Sequence, residues 1–277
     1  MYTIADRQQL TKRDTTVSLT VEAPQIARKI RPGQFVVVRV NETGERVPLT
    51  VAQKDPAAGT ITLIVQVVGK STALLASLRT GDAVKDLCGP LGRPAPIERV
   101  GTVAGIGGGS GIAVLRHLLG GHRDVGNRIV GIIGAREKDL LIMEDEMRAL
   151  CDELLVTTDD GSHGMHGKVT DALKALVERQ QRIDRVVAIG PLVMMRAVAE
   201  MTRVYGLPTE VSLNPIMVDG SGMCGGCRCT VGGATRFACV DGPHFDAFAV
   251  DFDELIQRGR MYERDERTAL LTAARAA

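Results

Sequence analysis

The chain has 277 residues, 44% of them hydrophobic, which is enough for about two compact domains with sizeable cores. Its 34 basic and 33 acidic residues nearly cancel and are scattered, which argues against partners such as nucleic acid or an anionic membrane. No stretch approaches the roughly 20 apolar residues of a membrane span, and the N-terminus lacks an apolar leader, so we expect a cytoplasmic protein.

Residues 1–98 are predicted to form an antiparallel β-barrel or sandwich. Short β-rich runs such as TVSLTVEA, QFVVVRV and GTITLIVQVV are separated by Gly, Pro and Asp. One of these runs, ERVPLTVA, places Arg46, Pro48, Leu49 and Thr50 on a single strand. The chain therefore begins with an all-β domain.

The stretch VVGKST is similar to a phosphate-binding P-loop but does not match it. That pattern requires a glycine five residues before Gly69, and the residue there is Ile64. The stretch still offers a phosphate site, because amides, hydroxyls and a cation are available at the start of the predicted helix STALLASLR. Its candidate residues are Gly69, Lys70, Ser71 and Thr72.

Residues 99–213 are predicted to form a doubly wound parallel sheet. Continuous apolar runs such as RIVGIIGA and DRVVAIG alternate with stretches of helical spacing, which is typical of βαβ units. After the first strand, a glycine-rich turn points backbone N–H groups at the place where a pyrophosphate would bind. The residues of this turn are Gly107, Gly108, Gly109, Ser110 and Gly111.

Two further strand ends carry candidate nucleotide-binding residues. Gly190 and Pro191 follow one strand directly, and Asp159 and Asp160 follow another, where a carboxylate can bind a ribose hydroxyl and disfavour a 2′-phosphate. This favours NAD over NADP. The G-x-G-x-x-G fingerprint itself fails in every register, and each glycine turn alone is equally compatible with a tight βα turn that binds nothing.

The segment 214–252 is rich in glycine and cysteine and predicts a bound metal. From Asp219 the spacing is D-x4-C-x2-C-x11-C, through Cys224, Cys227 and Cys239, which is the plant-type [2Fe-2S] spacing with aspartate in the first position. Cys229 is the alternative fourth ligand, and a zinc site of four cysteines is the alternative metal. The spacing favours Asp219 and a [2Fe-2S] cluster. Residues 253–277 are predicted to form a charged C-terminal helix.

Taken in order, these motifs resemble the ferredoxin–NADP reductase superfamily. RVPLT looks like its flavin-binding strand, VGKST its flavin pyrophosphate loop, GGGSGIAVLR its nicotinamide nucleotide loop and GPLVMM its C-G-P-x-x-M segment. DGSGMCGGCRCTVGG and FACVDGPHFDAFAVDF resemble the small subunits of NADH-dependent reduced ferredoxin:NADP oxidoreductase, also described as sulfide dehydrogenase, and the electron-transfer subunits of dihydroorotate dehydrogenase. Two departures are Val114 for the usual proline and Ile189 for the usual cysteine.

The resemblance implies FAD, NAD(H) and a [2Fe-2S] cluster as cofactors. It places the flavin on the barrel strand already named, with Val65 as a further contact, and it adds Met194 to the nicotinamide site. It also implies that Asp219, Cys224, Cys227 and Cys239 are the cluster ligands. No acid–base residue is required, since hydride transfer is centred on the flavin.

The resemblance further implies a larger partner subunit. In the bifurcating family, that subunit is similar to the small subunit of glutamate synthase, carries its own flavin and iron–sulfur clusters, and performs the NADP and ferredoxin reactions. The alternatives are a dihydroorotate dehydrogenase or sulfide dehydrogenase electron-transfer subunit, a dehydrogenase that acts without a partner, and a non-enzymatic zinc-stapled nucleotide-binding module. The four-cysteine cluster of the dihydroorotate dehydrogenase subunits differs from this chain at Asp219.

Overall fold

The computed structural model describes residues 1–12 and 15–276, and from residue 273 onward only the backbone. Its first unit is a nearly closed antiparallel sheet of seven strands in the order β6-β1-β2-β5-β4-β3-β7. The strands are β1 (Tyr2–Gln9), β2 (Thr16–Glu22), β3 (Phe35–Arg39), β4 (Arg46–Asp55), β5 (Thr60–Gln66), β6 (Ala83–Val84) and β7 (Asp86–Leu91). Two short helices, α1 (Pro24–Lys29) and α2 (Lys70–Ala76), lie between them.

The barrel is held together by alternating apolar side chains. On β2, Val17, Leu19 and Val21 are each at most 1% exposed, whereas the intervening Ser18 and Thr20 are not buried. Because side chains alternate between the two faces of a strand, this pattern directs one face inward. The predicted antiparallel β-barrel is confirmed.

The second unit is a sheet in the order β11-β10-β9-β8-β12-β13-β16, parallel except at one edge. Its strands are β8 (Thr102–Gly108), β9 (Arg128–Ala135), β10 (Glu153–Thr158), β11 (Met165–His166), β12 (Arg185–Ile189), β13 (Thr209–Ser212) and β16 (His244–Asp246). The helices are α3 (Gly111–Asp124), α4 (Glu144–Leu150), α5 (Val169–Glu178) and α6 (Leu192–Val204), with a 3-10 turn at Lys138–Leu140.

Helices cover both faces of this sheet, as the uninterrupted apolar strands predict. Helices α3 and α4 share one buried cluster, and α5 and α6 share another. The doubly wound arrangement is therefore confirmed.

The remaining chain packs against both units. It forms the hairpin β14 (Arg228–Val231) and β15 (Ala234–Phe237), then β16, then α7 (Phe252–Gly259) and α8 (Glu263–Ala276). The sequence predicts one tail helix, but the structure has two, and residue 277 lies outside the described residues. Phe252 and Leu255 form the buried face of α7, which packs in the same apolar cluster as the cysteine-rich segment.

Strand β16 adds a feature that the sequence does not indicate. Although it belongs to the cysteine-rich segment, it pairs antiparallel with β13 at the sheet edge. The divisions of the chain after residues 98, 213 and 252 stay predictions. No helix in the described part of the chain is long and apolar enough to cross a membrane.

Candidate functional site

A cavity of about 500 Å³ lies between the barrel and the carboxyl edge of the parallel sheet. Such an edge is where nucleotides bind in doubly wound folds, and the volume is in the range of ligand pockets. Its lining residues come from both units, and they are Thr15, Thr16, Pro48, Leu49, Thr50, Ala52, Ile64, Gln66, Gly108, Gly109, Ser110, Gly111, Val114, Ala135, Arg136, Leu140, Ile142, Ile189, Gly190, Pro191, Ser212, Leu213 and Asn214.

The predicted flavin strand forms one wall of the cavity. Pro48, Leu49 and Thr50 line it, whereas Arg46 begins β4 and is exposed outside the lining. Val65 needs a correction, because its side chain is fully buried in the barrel core. Its neighbours on β5, Ile64 and Gln66, line the cavity instead, since adjacent side chains on a strand face opposite sides.

The predicted pyrophosphate loop lies outside the cavity lining but close to the flavin strand. The Ser71 hydroxyl donates to the carboxylate of Glu45, which directly precedes Arg46. The Thr72 hydroxyl oxygen accepts from the backbone N–H groups of Val68 and Gly69, each at 3.0 Å. The structure thus brings the start of α2, with Lys70, next to the start of β4.

The glycine-rich turn forms the opposite wall. Gly108, Gly109, Ser110 and Gly111 line the cavity, and the Ser110 hydroxyl donates to Gln66 Oε1 at 3.1 Å across the two units. Gly111 allows α3 to start against β12, because a Cβ there would lie 2.5 Å from the Ile189 carbonyl oxygen.

One member of the predicted turn does not reach the cavity. A Cβ on Gly107 would lie 3.0 Å from the Leu115 side chain of α3. Gly107 therefore allows the close packing of helix on strand.

Gly190 and Pro191 complete the carboxyl-edge wall. Met194, predicted beside them, lies outside the cavity lining. Its side chain packs against both glycine turns, since a Cβ would lie 2.6 Å from it on Gly108 and 2.7 Å from it on Gly190. Gly190 and Pro191 face the cavity, whereas Met194 packs behind them.

Asp159 and Asp160 follow β10 as predicted, but both are exposed and neither lines the cavity. The Asp160 carboxylate accepts from the Ser162 hydroxyl at 2.7 Å and from its backbone N–H at 2.9 Å. These bonds hold the pKa of Asp160 below its ordinary value, so it is ionised at neutral pH.

Several lining residues were not predicted from the sequence. Arg136 follows β9, and Asn214 follows β13. Both occupy the strand-end position that identified Asp159 and Gly190, so the same signal was available for them. Thr15 and Thr16 carry no such signal, since they reach the cavity only through the closure of the barrel.

The four predicted cluster ligands lie in two pairs. Asp219 accepts the Cys224 backbone N–H at 2.8 Å and the Ser221 N–H at 2.8 Å. These two bonds hold the pKa of Asp219 below its ordinary value, and the bond from Ser221 has the larger effect. The second pair is Cys227 and Cys239, whose sulfurs are 3.1 Å apart and buried.

Cys229 lies apart from both pairs. It is on β14, its thiol donates to the Arg236 carbonyl at 3.7 Å, and burial raises its pKa to about 11. Burial and the Cys227 thiol likewise raise the pKa of Cys239 to about 12. Within the described residues, no group of three or more His, Cys, Asp and Glu side chains could hold a single metal ion.

The donor set of these pairs fits a [2Fe-2S] cluster, in which each iron takes two protein ligands. One pair would consist of an ionised carboxylate and an exposed thiol, and the other of two buried thiols. Backbone N–H groups already point at two of the sulfurs: Gly226 at Cys224 and Cys239 at Cys227, each at 3.4 Å. Such donors stabilise thiolate ligands.

The cysteine-rich segment continues directly from the cavity wall. Leu213 lines the cavity, and its N–H donates to the Pro243 carbonyl at 2.9 Å. The barrel holds the same loop, because the Arg93 N–H donates to the Gly242 carbonyl at 2.7 Å. Hydrogen bonds to the loop at residues 242–243 therefore connect the cysteine-rich segment with both the cavity wall and the barrel.

Comparison with known proteins gives the family. An oxidoreductase FAD-binding domain matches residues 2–95, and the iron-sulfur cluster binding domain of dihydroorotate dehydrogenase B matches residues 214–251. The electron transfer subunit homolog of dihydroorotate dehydrogenase B (NAD(+)) from Thermotoga maritima is 49% identical over 89% of this chain and 87% of its own length. The chain belongs to the family of dihydroorotate dehydrogenase B electron transfer subunits.

Further relatives of this family agree. The electron transfer subunit from Bacillus caldolyticus is 37% identical over 88% of this chain and 95% of its own length. A chain in the solved structure of NADH-dependent reduced ferredoxin-NADP oxidoreductase is 45% identical, covers 97% of this chain and 96% of its own length, and superposes with a TM-score of 0.92. The predicted resemblance is confirmed.

The chain is therefore an oxidoreductase subunit with an FAD-binding domain and an iron–sulfur-binding domain. This sets aside the zinc-stapled, non-enzymatic alternative. Both curated relatives are named as electron transfer subunits.

Proposed function

We propose that this chain exchanges hydride between NAD(H) and FAD, and single electrons with a larger partner subunit through a [2Fe-2S] cluster. The observation that carries the proposal is the single cavity where the flavin strand, the glycine-rich turn and Gly190–Pro191 meet, with a wall that continues into the cysteine-rich segment. When bound, FAD supplies the conversion between a hydride and single electrons.

The residues of the cavity fit a flavin ring. Pro48 and Leu49 provide an apolar wall that excludes water, and Thr50 and Asn214 provide polar groups that orient a ring. Arg46 would hold the flavin pyrophosphate, together with Gly69, Lys70, Ser71 and Thr72, which the Ser71–Glu45 bond brings beside it.

The opposite wall fits a nicotinamide nucleotide. The N–H groups of the turn at Gly108–Gly111 and the cation of Arg136 would bind its phosphates, while Gly190 and Pro191 leave room for the ring. The carboxyl groups of Asp159 and Asp160 lie one strand further along the edge. Acidic side chains at this position disfavour a 2′-phosphate and support NAD over NADP.

Asp219 and Cys224 would hold one iron, and Cys227 and Cys239 the other. The family match to an iron–sulfur-binding domain supports a cluster in this segment. The contact of the Cys224 backbone with Asp219 and that of the Cys227 sulfur with Cys239 support the plant-type arrangement.

The similarity to a chain of NADH-dependent reduced ferredoxin-NADP oxidoreductase supports electron bifurcation as the process. The partner would be a larger flavo-iron–sulfur subunit, similar to the small subunit of glutamate synthase, that carries the NADP and ferredoxin reactions. We place the resulting heterodimer in the cytoplasm.

The proposal is tested on the complex purified anaerobically through a tag on this chain. We expect FAD and two irons per chain, bleaching of the flavin by NADH, and a co-purifying larger subunit that contains flavin and iron. Protein that contains zinc but neither flavin nor iron would contradict the proposal.

A second candidate is the electron-transfer role in dihydroorotate dehydrogenase B, favoured by the names of the relatives. It predicts that the complex reduces NAD with dihydroorotate. The bifurcating enzyme instead requires ferredoxin and NADP, so the same purified complex distinguishes the two.

A further inference from the structure

Helix α7 is fixed against the cysteine-rich segment along one side. Phe252 and Leu255 pack in the same apolar cluster as the buried cysteines of that segment. At the start of the helix, the Asp251 N–H donates to the Thr230 carbonyl at 3.0 Å, and the Asp251 carboxylate accepts the Glu254 N–H at 2.9 Å. The helix therefore holds a defined position beside the loop that carries the predicted ligands.

Two charged side chains of α7 reach the backbone of this segment. Glu254 and Arg258 are four residues apart, so they lie on the same face of the helix. The Glu254 carboxylate accepts the Thr230 N–H at 3.0 Å, and the half-buried Arg258 guanidinium donates to the Gly226 carbonyl at 3.2 Å. Because Gly226 directly precedes Cys227, the fold brings a permanent cation next to a predicted ligand.

The loop after Cys224 consists of two glycines whose carbonyl groups both accept from arginines. Gly225 accepts from the Arg228 guanidinium at 3.3 Å, and Gly226 accepts from Arg258. In a trans peptide the C=O and N–H groups point in opposite directions, so the bond to the Gly225 carbonyl directs the Gly226 N–H at the Cys224 sulfur, 3.4 Å away. Since glycine adopts a wide range of backbone angles, these bonds hold the loop in one conformation.

The two arginines differ in exposure. Arg228 is exposed and belongs to the segment itself, whereas Arg258 is half-buried and comes from a separate helix. A charge that is partly shielded from water acts more strongly on its surroundings. Asp241, a nearby acid, accepts the Phe237 N–H at 2.8 Å and lies 3.8 Å from Arg93, which partly balances its charge.

We propose that Arg258 is a positioning residue of the iron–sulfur site, which holds the loop between Cys224 and Cys227 and whose charge raises the reduction potential of the cluster. The inference rests on the proposed function, since that function places a cluster in this segment. An added electron makes a cluster more negative, so a neighbouring cation stabilises the reduced form more than the oxidised form. The N–H group of Gly226 on the Cys224 sulfur acts in the same direction.

The test measures the reduction potential of the [2Fe-2S] cluster in the intact complex, by redox titration followed by electron paramagnetic resonance. R258Q keeps an N–H donor but loses the charge. We expect it to lower the ratio of reduced to oxidised cluster at a fixed potential by about three- to tenfold, which is about 30–60 mV for one electron. R258K keeps the charge and should retain both the cluster and the wild-type potential.

A variant of opposite charge separates electrostatics from a loosened helix. E254Q removes a negative charge from the same face of α7 and keeps an oxygen that accepts the Thr230 N–H, so it should raise the potential. A loosened helix would instead shift the potential in the same direction in E254Q and R258Q.

The matched control is R260Q. Arg260 is exposed at the end of α7 and lies about 200° around the helix from Arg258, so R260Q removes the same charge away from the loop. It should keep the wild-type potential.

A wild-type potential in iron-containing R258Q, or an equal decrease in R260Q, would overturn the inference. If R258Q releases its cluster, R258K decides: an intact cluster at the wild-type potential supports the inference, and a lost cluster or a lowered potential overturns it. A wild-type complex without a [2Fe-2S] signal would contradict the proposed function itself, and the inference with it.

Discussion

At the scale of single residues, Asp219 and Cys229 are the two candidates for the fourth ligand of the proposed cluster. Asp219 accepts two backbone N–H groups on the turn that carries Cys224, whereas the Cys229 thiol is bonded to the Arg236 carbonyl. Each carboxylate oxygen keeps a lone pair for a metal. We therefore expect D219A to lose the cluster and C229A to retain it, as measured by iron and sulfide analysis and by visible circular dichroism.

The matched variant is D219C, which restores a fourth thiolate at the same position. It should hold a cluster with a changed reduction potential, because ligand charge contributes to that potential. A C229A protein without iron beside an iron-containing D219A protein would assign the position to Cys229.

Residue spacing predicted much of the site, but not which way each side chain points. The motif D-x4-C-x2-C-x11-C predicted a set of four ligands, and the structure places Asp219 beside Cys224 and Cys227 beside Cys239. Val65 failed because a shift of one residue on a strand moves a side chain to the other face. Arg136 directly follows β9, so its strand-end position was a signal that the sequence offered and that was not used.

At the scale of elements, the start of α3 depends on one close approach. A Cβ on Gly111 would meet the Ile189 carbonyl oxygen at 2.5 Å, whereas a Cβ on Gly120, in the same helix, would meet nothing within 4 Å. We expect G111A to lower the free energy of unfolding by about 1–3 kcal/mol through overpacking. G120A should raise it by up to about 1 kcal/mol through helix propensity.

Urea unfolding of both variants provides the measurement. Because the substitution and the helix are the same, the difference between them isolates the contact with β12. Equal effects of the two substitutions would show that α3 can shift away from the strand without loss.

Hydrophobic periodicity predicted the elements better than their partners. Continuous apolar runs identified the parallel strands, since a sheet covered on both faces buries every side chain. The edge strand β16 has only three residues, and its pairing with β13 depends on long-range packing that no local pattern encodes. The tail forms two helices where the sequence predicted one: Phe252 and Leu255 of the first are buried, whereas the second is largely exposed.

At the scale of the whole molecule, the cavity exists only while the barrel and the sheet stay together. Helix α3 makes one of the joining contacts: the Nδ1–H of His117 donates to the Val51 carbonyl of β4 at 2.8 Å, one residue after Thr50. Burial lowers the pKa of His117, with the charge of Lys54 acting in the same direction. The contact is therefore made by a neutral imidazole at neutral pH.

This contact predicts that the molecule loses stability in mild acid. His117 and His122 both have pKa values lowered by burial from an ordinary 6.5, so below about pH 6.5 the unfolded chain binds protons that the folded chain does not. Stability from these groups is complete above that pH and falls by about 1.4 kcal/mol per pH unit for each proton. Carboxylates such as Glu153, whose pKa is lowered from 4.5, titrate only at lower pH.

We expect urea unfolding to show that the free energy of unfolding falls between about pH 7.5 and about pH 5.5. The variant H117Q keeps an amide donor for Val51 but takes up no proton. It should therefore reduce the slope of the unfolding free energy against pH by the contribution of about one proton. If H117Q leaves the slope of the unfolding free energy against pH unchanged, His117 titrates alike in the folded and unfolded chains. The contact of His117 with Val51 between sheet and barrel would then be insensitive to acid.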